Sequence, residues 1–354
     1  MNGILITGVP GFIGSRLARA LIPQGRPLYL LCLASFAEAA EALASELRGE
    51  GAEAHVLVGD ITQDGLGLKD PAAIQSAVSE VYHLAAVYDL AVPEDIARRV
   101  NVIGTTKVLE FCQAYAKGEV RLNYISTCYV SGFRQGMVFE DDLDRGQTFK
   151  NHYESTKFAA EVLVQKCMNK IETRIFRPAI VVGDSKTGET QKFDGPYASF
   201  GAVMMGWLIA TPSPGTGRPN LVPVDHIVDC LVTIPNQPDT AGKVFQLADS
   251  NPLTSLELIE LAAERLGAPR PRFSLPEALF RPLFKIKKLV EVSGLTAESL
   301  PYFNHYVIYD TTNTRSALAG TGISCPPLRS YINQILRFYR DRADLAWRFD
   351  RLRG

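Results

Sequence analysis

The chain of 354 residues carries 37 Lys and Arg against 38 Asp and Glu, a formal net charge of −1, with 46% hydrophobic and 21% charged residues. That balance excludes an electrostatic footprint for nucleic acid and excludes disorder over most of the length. The length exceeds one ordinary core and predicts a large domain with an elaboration, or two lobes.

Apolar residues 4–7 predict a first strand, and residues 14–21 a first helix with Leu17, Ala18 and Leu21 on one face. Further strands are expected at 28–33, 54–58, 81–84, 122–126 and 173–176, with helices between them at 36–48, 71–77, 93–116 and 151–169. Such alternation predicts an α/β fold, a Rossmann-type doubly wound parallel sheet with helices on both faces. Near-continuous apolar strands fit a sheet buried on both sides. After Arg177-Pro178 the character changes. Residues 183–217 are rich in Gly, Pro, Thr and Ser; a core-like pattern returns at 222–230, a strand at 244–247, and helices at 256–266 and 331–342. A dinucleotide-binding Rossmann domain is therefore expected over 1–182, with 222–250 returning to it, and a smaller mixed substrate-binding lobe from 183–221 and 251–354.

Six scattered cysteines form no C-x-x-C pair and no zinc spacing, which predicts a reducing compartment and no metal. The first strand follows Met1-Asn2-Gly3 with no secretory apolar region, and no run approaches the ~20 apolar residues that span a bilayer. A cytoplasmic protein without a transmembrane segment is the expectation.

Thr7-Gly8-Val9-Pro10-Gly11-Phe12-Ile13-Gly14 joins the first strand to the first helix. Gly8 permits a tight turn, Gly11 lets backbone approach a pyrophosphate, and Gly14 allows close helix–strand packing. The helix then aims its free N–H groups and positive dipole end at phosphates. This strand–turn–helix context predicts a nicotinamide dinucleotide site at Thr7, Gly8, Gly11, Phe12, Ile13 and Gly14. The second strand ends Leu31-Cys32-Leu33-Ala34-Ser35, with no acid for the ribose hydroxyls of NAD and no arginine for a 2′-phosphate. Ser35 can donate to a 2′-phosphate, so NADP(H) is favoured slightly over NAD(H).

Tyr153 and Lys157 stand four apart on an expected helix and share one face. An ammonium beside a phenol favours the phenolate and lowers a pKa that is ordinarily about 10, giving a usable proton donor. Thr127, at the end of the fifth strand, can bond a developing oxyanion. Ser126 beside it has a backbone-bonding role as its simpler explanation.

Taken in order, these motifs resemble the extended short-chain dehydrogenase/reductase family over nearly the whole chain. They are the glycine turn, Gly59-Asp60-Ile61, His83-Leu84-Ala85-Ala86, Asn101-Val102-Ile103-Gly104-Thr105, Ser126-Thr127, Tyr153 with Lys157, and Arg177-Pro178. The resemblance implies that Asp60 and Ile61 flank the adenine. It places Ala85, Ala86, Arg177 and Pro178 along the cofactor. Thr127, Tyr153 and Lys157 would form the catalytic triad, with Asn101 ordering the central strand and cofactor pocket. Gly59-Asp60-Ile61-Thr62, Leu66-Gly67-Leu68, the run from Arg177 to Asp184 and Val222-Pro223-Val224-Asp225 look like the thioester reductase and fatty acyl-CoA reductase, male-sterility-like branch.

On the substrate side, Phe200, Val203, Met204, Met205, Trp207, Leu208 and Ile209 line a lipophilic pocket or build ordinary core. Leu279, Phe280, Leu283, Phe284, Ile286 and Leu289, interleaved with Arg281, Lys285, Lys287 and Lys288, form a basic amphipathic segment. It suits a membrane surface or a CoA-like tail if it does not pack on its own protein. Reduction of an acyl thioester or related lipophilic carbonyl is the leading expectation, by a homodimer joined through the helices at 93–116 and 151–169. A nucleotide-sugar epimerase or dehydratase, a hydroxysteroid-type dehydrogenase and a non-enzymatic dinucleotide sensor are the alternatives.

Overall fold

The computed structural model describes residues 2–114, 119–206, 208, 210–280, 282 and 300–342. Along the chain come β1 (Gly3–Thr7), α1 (Phe12–Ala20), β2 (Leu28–Cys32), α2 (Ala37–Gly49), β3 (Ala54–Val58), α3 (Pro71–Ala77) and β4 (Val78–His83). Next are α4 (Glu94–Ala97), α5 (Gly104–Gln113), β5 (Arg121–Ile125), β6 (Gly136–Val138), α6 (His152–Cys167), β7 (Glu172–Pro178) and β8 (Ile180–Val182). Then follow α7 (Pro196–Met204), β9 (Ala210–Ser213), β10 (Leu221–Pro223), α8 (Val224–Thr233), β11 (Val244–Leu247), α9 (Ser255–Leu266), β12 (Phe273–Pro276) and β13 (Val307–Tyr309). A last helix occupies Leu328–Asp341.

Seven strands form one parallel sheet in the order β3-β2-β1-β4-β5-β7-β11. Strand alternation divides its apolar side chains between two cores. Ile4, Ile6, Leu28 and Leu30 join Leu17, Leu43 and Ile227 on one face. Leu5 and Leu31 join Val108, Leu122 and Val164 on the other. Burial on both faces explains why these strands read as unbroken apolar runs. The strand order reverses between β1 and β4, and a crevice at that switch point is where such sheets take ligands.

The helical pattern expected at 93–116 runs from Glu94 to Gln113 but widens at Arg98–Ile103, where i→i+5 bonding accommodates an extra residue. The strand expected at 81–84 starts earlier, at Val78. Short parallel pairs, β8 with β10, β9 with β12 and β6 with β13, lie outside the main sheet. Phe200 packs with Tyr197, Leu258, Tyr331 and Ile335, and Val203 with Ile259 and Ala263. Both are buried core, the second of the two alternatives open from the sequence: α7 needs a buried face, and these two residues supply it. Trp207, Ile209, Arg281 and residues 283–290 lie outside the described residues. No helix among the described residues is long and apolar enough to cross a membrane.

Candidate active site

Three constraints shape the glycine turn. Gly8 sits at φ +82°, and a Cβ there would stand 2.8 Å from the Ala85 nitrogen at the end of β4. Cβ atoms on Gly11 and Gly14 would fall 2.7 and 2.8 Å from the Gly8 carbonyl oxygen. The spacing thus closes the turn on itself as well as opening it to a ligand. Gly11 caps α1 with no side-chain bond, which leaves the start of the helix uncovered for an anion. These residues fit a dinucleotide pyrophosphate.

The neighbouring motifs hold the turn in place. The Thr7 hydroxyl lies 2.8 Å from His83 Nδ1 and accepts the Ala85 N–H at 3.1 Å. Ala85 is half-buried and Ala86 exposed. Asp60 accepts the Thr62 N–H at 2.8 Å. Ile61 is buried, and a Cβ on Gly104 would come within 2.6 Å of its Cδ1, so the glycine of the Asn101–Thr105 motif is set by contact with Ile61. Leu33, Ala34, Ser35 and Phe36 are all exposed at the end of β2.

Asn101 falls in the widened turn and bridges two segments. Its Oδ1 accepts the Val87 N–H at 2.9 Å, and its Nδ2 donates to Thr156 Oγ1 at 3.1 Å. The loop after β4 is thereby tied to α6. Asn151 caps α6 by accepting the Glu154 N–H at 3.0 Å.

On α6, Tyr153 and Lys157 are both buried. Burial pushes the Tyr153 phenol above its usual value, while the neighbouring Thr127 hydroxyl pulls the other way. Thr127 also accepts the Tyr129 N–H at 3.2 Å and makes a long bond, 3.4 Å, to the Pro178 carbonyl. Lys157 Nζ donates to the Ile125 carbonyl at 2.7 Å and lies 4.6 Å from the centre of the Tyr124 ring. Burial lowers its pKa to about 7, partly opposed by Glu161. Tyr153, Thr127 and Lys157 thus converge at the carboxyl end of β5. Tyr88 stacks edge-on against Tyr153, with ring centres 5.0 Å apart.

The Arg177 side chain, expected along the cofactor, is engaged within the protein. Its side chain is 1% exposed and forks onto Glu161, with Nη2 to Oε1 at 2.5 Å and Nε to Oε1 at 3.0 Å. Its Nη1 donates to the Glu140 carbonyl at 3.2 Å. The guanidinium is committed to that pair, which ties β7 to α6. Ser126 donates to the same carboxylate at 2.5 Å. Glu161 belongs to none of the sequence motifs; its signal is a charged residue four beyond Lys157, on the buried face of the helix.

A family model described as male sterility protein matches residues 6–231. The chain belongs to that family. It is 26% identical to a linear gramicidin synthase of Brevibacillus parabrevis, over 92% of this chain and 7% of that protein. It is 27% identical to aldehyde reductase lnaA of Aspergillus flavus, over 94% of this chain and 35% of that one. It is 32% identical to fatty acyl-CoA reductase 1 of Arabidopsis thaliana, over 43% of this chain and 36% of that one. The chain therefore spans roughly a third or less of the length of these relatives. In fold it resembles the terminal R domain from the myxalamid PKS-NRPS biosynthetic pathway, with TM-score 0.80, 23% identity, and coverage of 97% of this chain and 91% of that one. It also resembles UDP-glucuronic acid 4-epimerase from Bacillus cereus in complex with NAD, with TM-score 0.70, 18% identity, and coverage of 97% and 98%.

Proposed function

We propose that the protein reduces an acyl thioester or a related lipophilic carbonyl with NAD(P)H, using Thr127, Tyr153 and Lys157. The observation that carries this reading is the grouping of two buried hydroxyl residues, Tyr153 and Thr127, with the buried Lys157 ammonium at the carboxyl end of the sheet. A bound nicotinamide would supply hydride to the carbonyl carbon. Tyr153, kept protonated by burial, gives its proton to the carbonyl oxygen. Thr127 accepts from Tyr129 but donates only along a long bond to Pro178, so its hydroxyl hydrogen can turn to the same oxygen as negative charge grows there. Lys157 restrains the charge left on Tyr153 and holds the nicotinamide ribose. Asn101 keeps the loop after β4 against α6. With a thioester, collapse of the hemithioacetal breaks the C–S bond and releases thiol and aldehyde.

Gly8, Gly11, Phe12, Ile13 and Gly14 would hold the pyrophosphate, with Asp60, Ile61, Ala85 and Ala86 beside the adenosine and nicotinamide halves. NADPH is the favoured coenzyme: β2 ends without a carboxylate to repel a 2′-phosphate, and the exposed Ser35 can donate to one. Residues 1–182 and 222–250 would form the dinucleotide domain, and the remainder the substrate lobe. The free thiols support a reducing, cytoplasmic setting. Exposed Ile96 and Ile103 on the helical run from Glu94 to Gln113 support a homodimer through that surface, which light scattering would detect as twice the chain mass.

The test is oxidation of NADPH and NADH against a panel of acyl-CoAs, with Tyr153→Phe as control. Acyl-CoA-dependent oxidation lost in the variant supports the reading; silence across the panel overturns thioester reduction. A second reading follows from Arg218, whose Nε is buried without a partner among the described residues, beside a space lined by Tyr129, Asn220, Tyr302 and His305 that admits about one water. A phosphate of a nucleotide sugar, or of CoA, would satisfy that donor only if the space opened to admit it. Copurified NAD and indifference to added NADPH would select an epimerase or dehydratase instead.

A further inference from the structure

The residue after Tyr153 is a buried carboxylate with both oxygens engaged. Glu154 Oε2 accepts the Lys150 N–H at 3.0 Å, and Oε1 accepts the Tyr302 hydroxyl at 2.5 Å. Lys150 Nζ stands 3.5 Å from Oε1 and donates to the Gly132 carbonyl at 2.5 Å. The Tyr302 oxygen in turn accepts Asn151 Nδ2 at 2.9 Å, and Asn151 is the cap of α6. One hydroxyl, 148 residues downstream of Glu154, therefore grips both the cap and the first turn of the helix that carries Tyr153.

The ring of Tyr302 does something separate. It stands edge-on to Tyr129, with centres 5.0 Å apart at 61°. The Tyr129 N–H donates to the Thr127 hydroxyl. Lys150 Nζ lies 4.9 Å from the centre of the Tyr302 ring on another side. A single side chain beyond β12 thus reaches the two catalytic hydroxyls by independent routes, through Glu154 to Tyr153 and through Tyr129 to Thr127.

We infer that Tyr302 is a positioning residue, fixing Tyr153 and Thr127 relative to one another so that the site is complete only when the segment carrying Tyr302 is docked. The inference rests on the reading of those two hydroxyls as the catalytic pair. A carboxylate buried at the start of a helix is stabilised by the helix dipole and by its donors. Removing the Tyr302 hydroxyl takes one donor from it and loosens the cap at the same stroke. Small misplacements of reacting groups are costly, so the effect should appear in turnover rather than in coenzyme binding.

The experiment uses the full chain and the variant Tyr302→Phe, which keeps the ring and removes the hydroxyl. Octanoyl-CoA and octanal are the substrates, with NADPH and with NADPH deuterated at the transferred position. Hydrogen–deuterium exchange is followed in peptides covering residues 7–14, 127–131 and 151–157. Turnover should fall about 10–100-fold with NADPH affinity unchanged, and the deuterium isotope effect should grow as hydride transfer becomes slower. In Tyr302→Phe exchange should quicken at 151–157, but not at 127–131, where the ring contact is kept, nor at 7–14; Tyr302→Leu, which removes the ring as well, should quicken 127–131 too. Glu154→Gln, which keeps shape and one acceptor oxygen, should quicken 151–157 alone and at smaller amplitude. Unchanged exchange at 151–157 in Tyr302→Phe, unchanged exchange at 127–131 in Tyr302→Leu, or wild-type turnover with an unchanged isotope effect, overturns the inference. A merely structural role would lower the melting temperature and the active fraction while leaving the isotope effect alone. If Tyr153→Phe keeps its turnover, the reductase reading falls by itself, and the exchange measurement still decides whether Tyr302 braces both segments.

Discussion

One turn of α6 separates two buried charges that are handled in opposite ways. Glu161 meets a guanidinium in a fork and a serine hydroxyl besides, and its pair with Arg177 is closed. Lys157 meets a carbonyl oxygen and an aromatic face, and no ion pair with it is formed among the described residues. The first arrangement is complete without any ligand and holds β7 to α6. The second leaves an ammonium short of partners, with its proton affinity already reduced, at the end of the sheet where ligands enter. Burial alone does not distinguish a structural charge from a working one; the completeness of its partner set does.

The contrast can be broken at several points. Tyr153→Phe removes the proton donor at the incomplete end, and turnover should fall by roughly 10²–10⁴-fold with little change in NADPH affinity, measured by steady-state kinetics and fluorescence titration. Near-normal turnover would remove that end from the chemistry. Arg177→Leu strands the Glu161 carboxylate and should cost about 3–5 kcal/mol in urea unfolding, while adding Glu161→Leu should recover much of the loss. A cost below about 1 kcal/mol would mean that the fork contributes no more than an exposed pair does.

Lys157 gives a test of sign. In the unfolded chain it holds its proton to about pH 10.4, and in the folded chain only to about 7. Between those values the unfolded state binds more protons, so Lys157 disfavours folding most below about pH 7, and this cost fades as pH rises toward about 10. Lys157→Met should therefore melt a few degrees above the parent near pH 6, with the gain gone near pH 10, in differential scanning fluorimetry. A gain independent of pH would mean that the ammonium is solvated. The smallest effect is expected at the coenzyme end, where Leu33→Arg should raise the NADPH-to-NADH preference several-fold through contact with the 2′-phosphate. No change in that ratio would move the adenosine ribose away from β2.

What the sequence revealed follows the range of the interactions. Periodicity and turn chemistry are local, so the strands Ala54–Val58 and Val244–Leu247 and the helix Pro71–Ala77 stand where the pattern puts them. The glycine turn and the spacing of Tyr153 from Lys157 were legible for the same reason. Pairs made across the fold were not. Arg177 finds Glu161 because β7 lies beside β5, and nothing near either residue announces it. Tyr302 carries no local signal at all. Phe200 and Val203 were ambiguous because core and pocket wall use the same side chains. The three-residue strands β6, β8, β10 and β13 are too short to express a period.

The hydroxyl and imidazole groups behind the glycine turn form a chain in which the hydrogen of Thr105 sets the polarity. With that hydrogen on the Asn101 carbonyl at 2.7 Å, the Thr105 oxygen accepts at His83 Nε2, 3.1 Å away. His83 then carries its hydrogen on Nε2, and Nδ1 accepts from Thr7, whose oxygen accepts from Ala85. Burial, with the Lys157 charge adding to it, lowers the His83 pKa to about 3, and the chain offers a second proton nowhere to go. The turn that would meet the coenzyme phosphates is thus wired to the widened helix by a row of fixed dipoles. In nitrogen-15 spectra the imidazole should keep a single tautomer across the whole pH range in which the protein stays folded.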